Sequence, residues 1–133
     1  MNISEITINT LKNAGWYQGR NIDIRTIEES LEKIGYVIFP KAREFFGEFG
    51  NLIIEDNKNS EIHNTSFRFS RAGGFREIEK YAGERLIPVG LIDSDFLVLL
   101  ISESGRFYCE SGKMGENTMD CWENLLNGNG VTA

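Results

Sequence analysis

His63 is the only histidine in the chain, and it lies in the polar stretch Asn59-Ser60-Glu61-Ile62-His63-Asn64. A catalytic base or metal ligand would need a nucleophile or second ligand beside it. None accompanies it in sequence, so a solvated loop histidine is the plainer reading, although distant residues could converge on it. Cys109 and Cys121 show no paired-cysteine spacing of the kind that binds zinc. One is expected on a strand and the other on a helix, which favours structural, unpaired thiols. Gly73-Gly74 precedes a helical stretch, where backbone amides can hold a phosphate. The segment nevertheless lacks both the P-loop pattern and the dinucleotide fingerprint, and reads as a turn. The pairs Glu28-Glu29 and Glu77/Glu79 fall on polar helix faces, and Trp16 and Trp122 are spaced for core packing. No catalytic, metal or cofactor chemistry emerges from these residues, and the chain is not expected to be an enzyme.

Charge is the one physical clue to function. The 133 residues carry a net charge of −6, and it is unevenly placed: residues 1–92 hold 13 acids and 12 bases, residues 93–133 seven acids and two bases. An acidic surface repels nucleic acid and anionic membrane and attracts basic partners over long range. No stretch approaches the roughly 18 apolar residues of a membrane span. The N-terminus lacks a basic region followed by an apolar block, so a cytoplasmic protein is expected.

The elements that must position these groups follow from periodicity. Phe96-Leu97-Val98-Leu99-Leu100-Ile101 is the most apolar run, and turn residues bound it on both sides. It is expected to be a central strand, with Leu86–Ile92 and Arg106–Glu110 as its antiparallel neighbours. Pro88 lacks a ladder donor, so its strand should be at an edge, bulged, or unpaired at that position. Leu52–Glu55 and the alternating Phe67/Phe69 segment supply two more strands. Helices are expected over 3–14, from an Asp23 cap through Ile34, from Pro40 to Phe49, around Phe75–Ala82 and from about Asn117 to Leu126. The resulting class is α+β: one domain over residues 1–133, with N-terminal helices, a mainly antiparallel sheet of about five strands, one inserted helix and a C-terminal helix.

The order of several landmarks resembles the SUKH superfamily of bacterial immunity proteins, and within it the third SUKH family. The landmarks are Ala14-Gly15-Trp16 with Gly19-Arg20, Gly35-Tyr36, Pro40, Phe45-Phe46-x-x-Phe49-Gly50, Leu86-Ile87-Pro88-Val89-Gly90, Gly105-Arg106-Phe107-Tyr108 and Leu125-Leu126-Asn127-Gly128. They span about 14–128. Asn51 stands where the family pattern leads one to expect a second glycine. The resemblance implies a cytoplasmic antidote that binds and blocks a cognate toxin of a polymorphic toxin system, often a nuclease or nucleic-acid deaminase, without chemistry of its own. A small regulatory or ligand-binding scaffold of the same fold is the alternative.

Under that resemblance the landmarks are mostly structural, and Trp16 is expected to pack under the sheet. Charge and turn position nominate Glu55, Asp56 and Glu61 near the first strand, Asp93 and Asp95 at the entrance of the central strand, and Glu103 at its exit. Glu103 should lie at the opposite end of that strand from Asp93 and Asp95. The expected partner surface is therefore Asp93, Asp95, Glu55, Asp56 and Glu61.

Overall fold

The computed structural model describes residues 4–55, 60–62, 72–92 and 97–127. Helix α1 (Glu5–Asn13) starts where Ser4 accepts the Thr7 N–H on its Oγ at 3.2 Å, the N-cap contact that satisfies one orphan amide of the first turn. Helix α2 (Arg25–Glu32) buries Ile27 and Leu31 as the periodicity requires. Its start differs from expectation. Ile24, one residue later than Asp23, holds the cap position, yet the Asp23 carboxylate still accepts a first-turn amide, the Arg25 N–H at 3.0 Å, as well as the Arg25 guanidinium at 2.7 Å.

Helix α3 (Pro40–Phe49) opens on a proline whose missing donor costs nothing at that position. Ala42, Phe45, Phe46 and Phe49 form its buried face. Its C-terminal carbonyls are taken by Arg20, which donates to Glu48 O at 2.7 Å and Gly50 O at 2.8 Å. A cation is well placed there, since the carbonyl end of a helix carries partial negative charge. Asn51 follows with φ of 64°, the left-handed conformation that glycine adopts most easily and asparagine next. That explains how asparagine can occupy a position where glycine was expected.

Strands β1 (Ile53–Ile54), β2 (Ser60–Ile62), β3 (Leu86–Ile92), β4 (Leu97–Ser102), β5 (Phe107–Cys109) and β6 (Gly112–Gly115) form one antiparallel sheet in sequence order. Among the described residues six strands are present where about five were expected. β2 and β6 are too short, and β6 too glycine-rich, to show a period-2 pattern. The expected Phe67/Phe69 strand lies outside the described residues, as does His63. Helix α4 (Arg76–Ala82) interrupts the strands between β2 and β3, and α5 (Thr118–Asn127) follows β6. No helix among the described residues is long and apolar enough to cross a membrane.

The central strand is buried on both sides. Leu99 and Ile101 face the main core, where α1, α2, α3 and α5 contribute Leu11, Leu31, Phe45, Phe46, Phe49 and Trp122. Phe45 and Phe107 pack at 5.2 Å between centroids, as do Phe49 and Trp122. Such aromatic pairs add about 0.5–1.5 kcal/mol each beyond the area they bury. On the other face, Leu100 clusters with Leu86 and Tyr108 beneath Phe75, Ile78 and Ala82 of α4 and its approach. Trp16 stacks on Phe49 at 6.2 Å and donates to Glu48 at 2.9 Å, so it lies against α3. Both cysteines are free and buried, and burial pushes their thiols upward, Cys121 well above the usual value.

Pro88 is accommodated in the bulged way. The β3–β4 register shifts between Pro88 and Gly90, inserting Val89 as an extra residue. Val89 and Ile87 both enter the main core, whereas Leu86 and Leu91 are on the opposite face. Gly90 then pairs with Ile62, and a Cβ there would come within 2.7 Å of Glu61 O and 3.2 Å of Ile62 Cα. Only glycine permits β2 to close on β3 at this point.

Gly90→Ala should destabilise the protein by about 1–3 kcal/mol, the range for overpacking against backbone that cannot yield. Arg20→Met keeps the stem but removes two charge-assisted bonds, and should cost about 1.5–3 kcal/mol. Urea unfolding of each variant measures both effects.

Candidate functional site

The expected acidic residues separate into three groups. Asp56, Asp93 and Asp95 lie outside the described residues. Glu103 is placed at the far end of β4, where it accepts from Arg85 at 2.9 Å. Those hydrogen bonds hold its carboxyl below the ordinary range. Its charge is thus tied to a neighbouring cation. Glu61 lies on β2 opposite Ile53 of β1, and Glu55 follows β1, two residues beyond Ile53.

Their arrangement follows from the register. Ile53 pairs with Glu61, Glu61 with Leu91, and Leu91 with Val98, so these four residues form one row across β1, β2, β3 and β4. Ile54, Ile62, Ile92 and Leu99, the next residues along, are buried in the main core. Strand alternation therefore puts Ile53, Glu61, Leu91 and Val98 on the opposite face. Leu91 and Val98 are partly buried, and Ile53 is 53% exposed. The row is extended by Glu110, whose carboxylate accepts the Val98 N–H at 2.8 Å and so replaces a ladder partner from β5. The surface thus presents apolar side chains among carboxylates, the mixture found where an apolar contact centre is bounded by a charged rim.

At the open side of β1, a cavity of about 340 Å³ separates the strand from α1, lined by Thr10, Asn13, Ala14, Ile53 and Glu55. Ile6 stands one turn before Thr10 on the same helix face and is 61% exposed. Two large apolar side chains, Ile6 and Ile53, are therefore exposed on the two elements that border this opening. Sequence reasoning found Glu55 and Glu61 through their charge. It missed Ile6, Ile53, Leu91 and Val98, because each sits in a stretch whose periodicity reads as core. The signal that finds them is the cross-strand register, which a single sequence does not display.

A second cavity, about 260 Å³, lies between α3 and the β6–α5 junction, with Lys41, Glu44, Glu48 and Glu116 around Phe45, Phe49 and Ile101. Its charges are largely committed to structure. Glu116 accepts from Arg106 at 3.0 Å and from Lys113, which together hold its carboxyl below the ordinary range. Glu48 holds Trp16, and Lys41 approaches Glu44 at 3.8 Å. Among the described residues no group of histidine, cysteine and carboxylate side chains is arranged to hold a metal ion. The Gly73-Gly74 segment is a turn leading into the seven-residue α4, with Ala72 N–H bonded to Ile34 O at 2.9 Å.

Other carboxylates are internal fasteners. Glu123 on α5 accepts the Thr7 hydroxyl at 2.7 Å and the Ser4 N–H at 3.1 Å, joining α5 to the start of α1. Glu79 accepts the Leu86 N–H at 3.0 Å.

A family model described as SUKH-3 immunity protein matches residues 3–128. No curated protein and no solved structure matches the chain.

The two kinds of carboxylate are separable by stability. Glu55→Gln should change unfolding free energy by no more than about 0.5 kcal/mol, as for an exposed side chain. Glu123→Ala leaves a buried threonine hydroxyl and an amide without their acceptor and should cost about 1–3 kcal/mol in the same urea experiment.

Proposed function

The chain belongs to the SUKH-3 immunity protein family, and on that premise we propose that it neutralises a cognate toxin by occluding a basic, nucleic-acid-binding surface of that toxin. The observation that carries this reading is the β1-side surface, where Glu55 and Glu61 accompany the apolar row Ile53, Leu91 and Val98. A toxin that cuts or modifies nucleic acid must present cationic groups to phosphate. Carboxylates matched to those groups guide encounter, and the apolar row supplies contact area once the surfaces meet.

Occlusion needs no bond-making step from the immunity protein. It does need a fixed surface, and here Glu61 and Leu91 are held by a ladder that runs into the buried centre of the sheet. The net charge of −6 favours a basic protein partner over nucleic acid or an anionic membrane. Cytoplasmic action fits this reading, since the antidote must meet the toxin where the toxin acts. Asp93 and Asp95 lie in sequence between β3 and β4, and they are proposed to add to the acidic rim with Asp56.

The decisive experiment mixes the toxin domain encoded beside this gene with increasing amounts of the protein. The expected result is loss of toxin activity at equimolar ratio. Association should slow by about tenfold or more between roughly 0.05 M and 0.5 M salt, because screening shortens the reach of the acidic surface. A toxin that keeps full activity in excess protein overturns the proposal. A salt-independent association rate overturns the electrostatic part of it.

A further inference from the structure

Among the described residues, β1 is the terminal strand of the sheet and pairs only with β2. The direction of its backbone groups can be read from the ladder. Ile62 N–H bonds to Leu52 O at 2.8 Å, so Leu52 and Ile62 face each other as a hydrogen-bonded pair. Antiparallel pairs alternate, and therefore Ile53 opposite Glu61 occupies a non-hydrogen-bonded position, while Ile54 opposite Ser60 is bonded again. The N–H and C=O of Ile53 consequently point away from β2, toward the open edge.

That edge is not closed by the neighbouring helix. Thr10, Asn13 and Ala14 of α1 are across the 340 Å³ cavity from Ile53 and Glu55. Thr10 Oγ1 already donates to Ile6 O at 2.8 Å, within its own helix. The cavity thus brings together an outward-facing backbone donor and acceptor, an exposed apolar side chain and an exposed carboxylate two residues further on. An unpaired strand edge is a template for another strand, and chains commonly protect it by keeping the strand short or charged. β1 is short, but its outward residue is an isoleucine.

We propose that an extended segment of the toxin adds to the sheet beside β1, through the cavity between β1 and α1. This deepens the toxin-binding reading and rests on it. Backbone bonds to Ile53 N–H and C=O fix the register. Side chains of an added strand project on alternate faces, so the segment that fits carries an apolar residue beside Ile53 and a lysine or arginine two residues away, beside Glu55. Main-chain pairing supplies attachment and this apolar–basic pair supplies selectivity, the division of labour in strand-addition recognition generally. Asn13, on the opposite wall, offers an amide to the segment's other face.

Amide hydrogen exchange at Ile53 tests the bond itself. In the free protein the Ile53 N–H should exchange rapidly. In complex with the neighbouring gene's toxin domain it should slow on the order of a hundredfold, as expected for an amide drawn into a ladder. A second measurement uses Ile53→Lys, which keeps an exposed edge side chain but sets a cation against the basic segment. Its thermal unfolding should match that of the unaltered protein, and its affinity for the toxin should fall about tenfold or more. If the toxin binds while Ile53 exchange and I53K affinity are both unchanged, strand addition is wrong and toxin binding stands. If the unaltered protein does not bind the toxin, the immunity reading falls and this inference with it.

Discussion

A strand that is apolar on both faces must be covered twice, and β4 imposes that condition on the rest of the chain. Leu99 and Ile101 require a layer on one side, Leu100 on the other. The two sides are met unequally. Among the described residues four helices contribute to the main core, whereas the opposite face receives α4, seven residues long, over Leu86, Leu100 and Tyr108. Leu91 and Val98, further along the same face, are only partly buried. The asymmetry of cover leaves a rigid, half-apolar surface beside the open edge of the sheet.

Two close approaches make that surface stiff enough to matter. Gly90 lets β2 reach β3, and Gly115 lets α5 reach β6, where an added Cβ would lie 2.6 Å from Cys121 N. Arg20 and Glu123 fasten the helical layer at its margins, the first by capping α3 and the second by joining α5 to α1. A surface held in this way loses little freedom on binding, so more of its contact energy survives as affinity.

Most helices were legible because their apolar residues recur every three or four positions and their ends carry ordinary signals. Ser4 caps α1, Pro40 opens α3, and Asn117 accepts the Asp120 N–H at 2.8 Å where α5 begins. Asp23 marked the start of α2 to within one residue: its carboxylate accepts the Arg25 N–H, while Ile24 holds the cap position. β2 and β6 escaped notice because three or four residues cannot establish a period, and because each exists by pairing with a neighbour more than by its own pattern. Pro88 was readable as a constraint, though which of its solutions the chain adopts depends on β4 lying opposite.

Residue types and their order determined the class of the fold, the buried fate of the central strand and the acidic balance. These are properties of local spacing and of charge counted along the chain. Only the tertiary structure decided which acids stand together. It joined Glu61 to Ile53, Leu91 and Val98 through a register set partly by the bulge at Val89, and it sent Glu103 to Arg85 at the other end of the sheet. The physical reason is that a carboxylate's role depends on what strand pairing places beside it, and pairing joins residues tens of positions apart whose association no local pattern records.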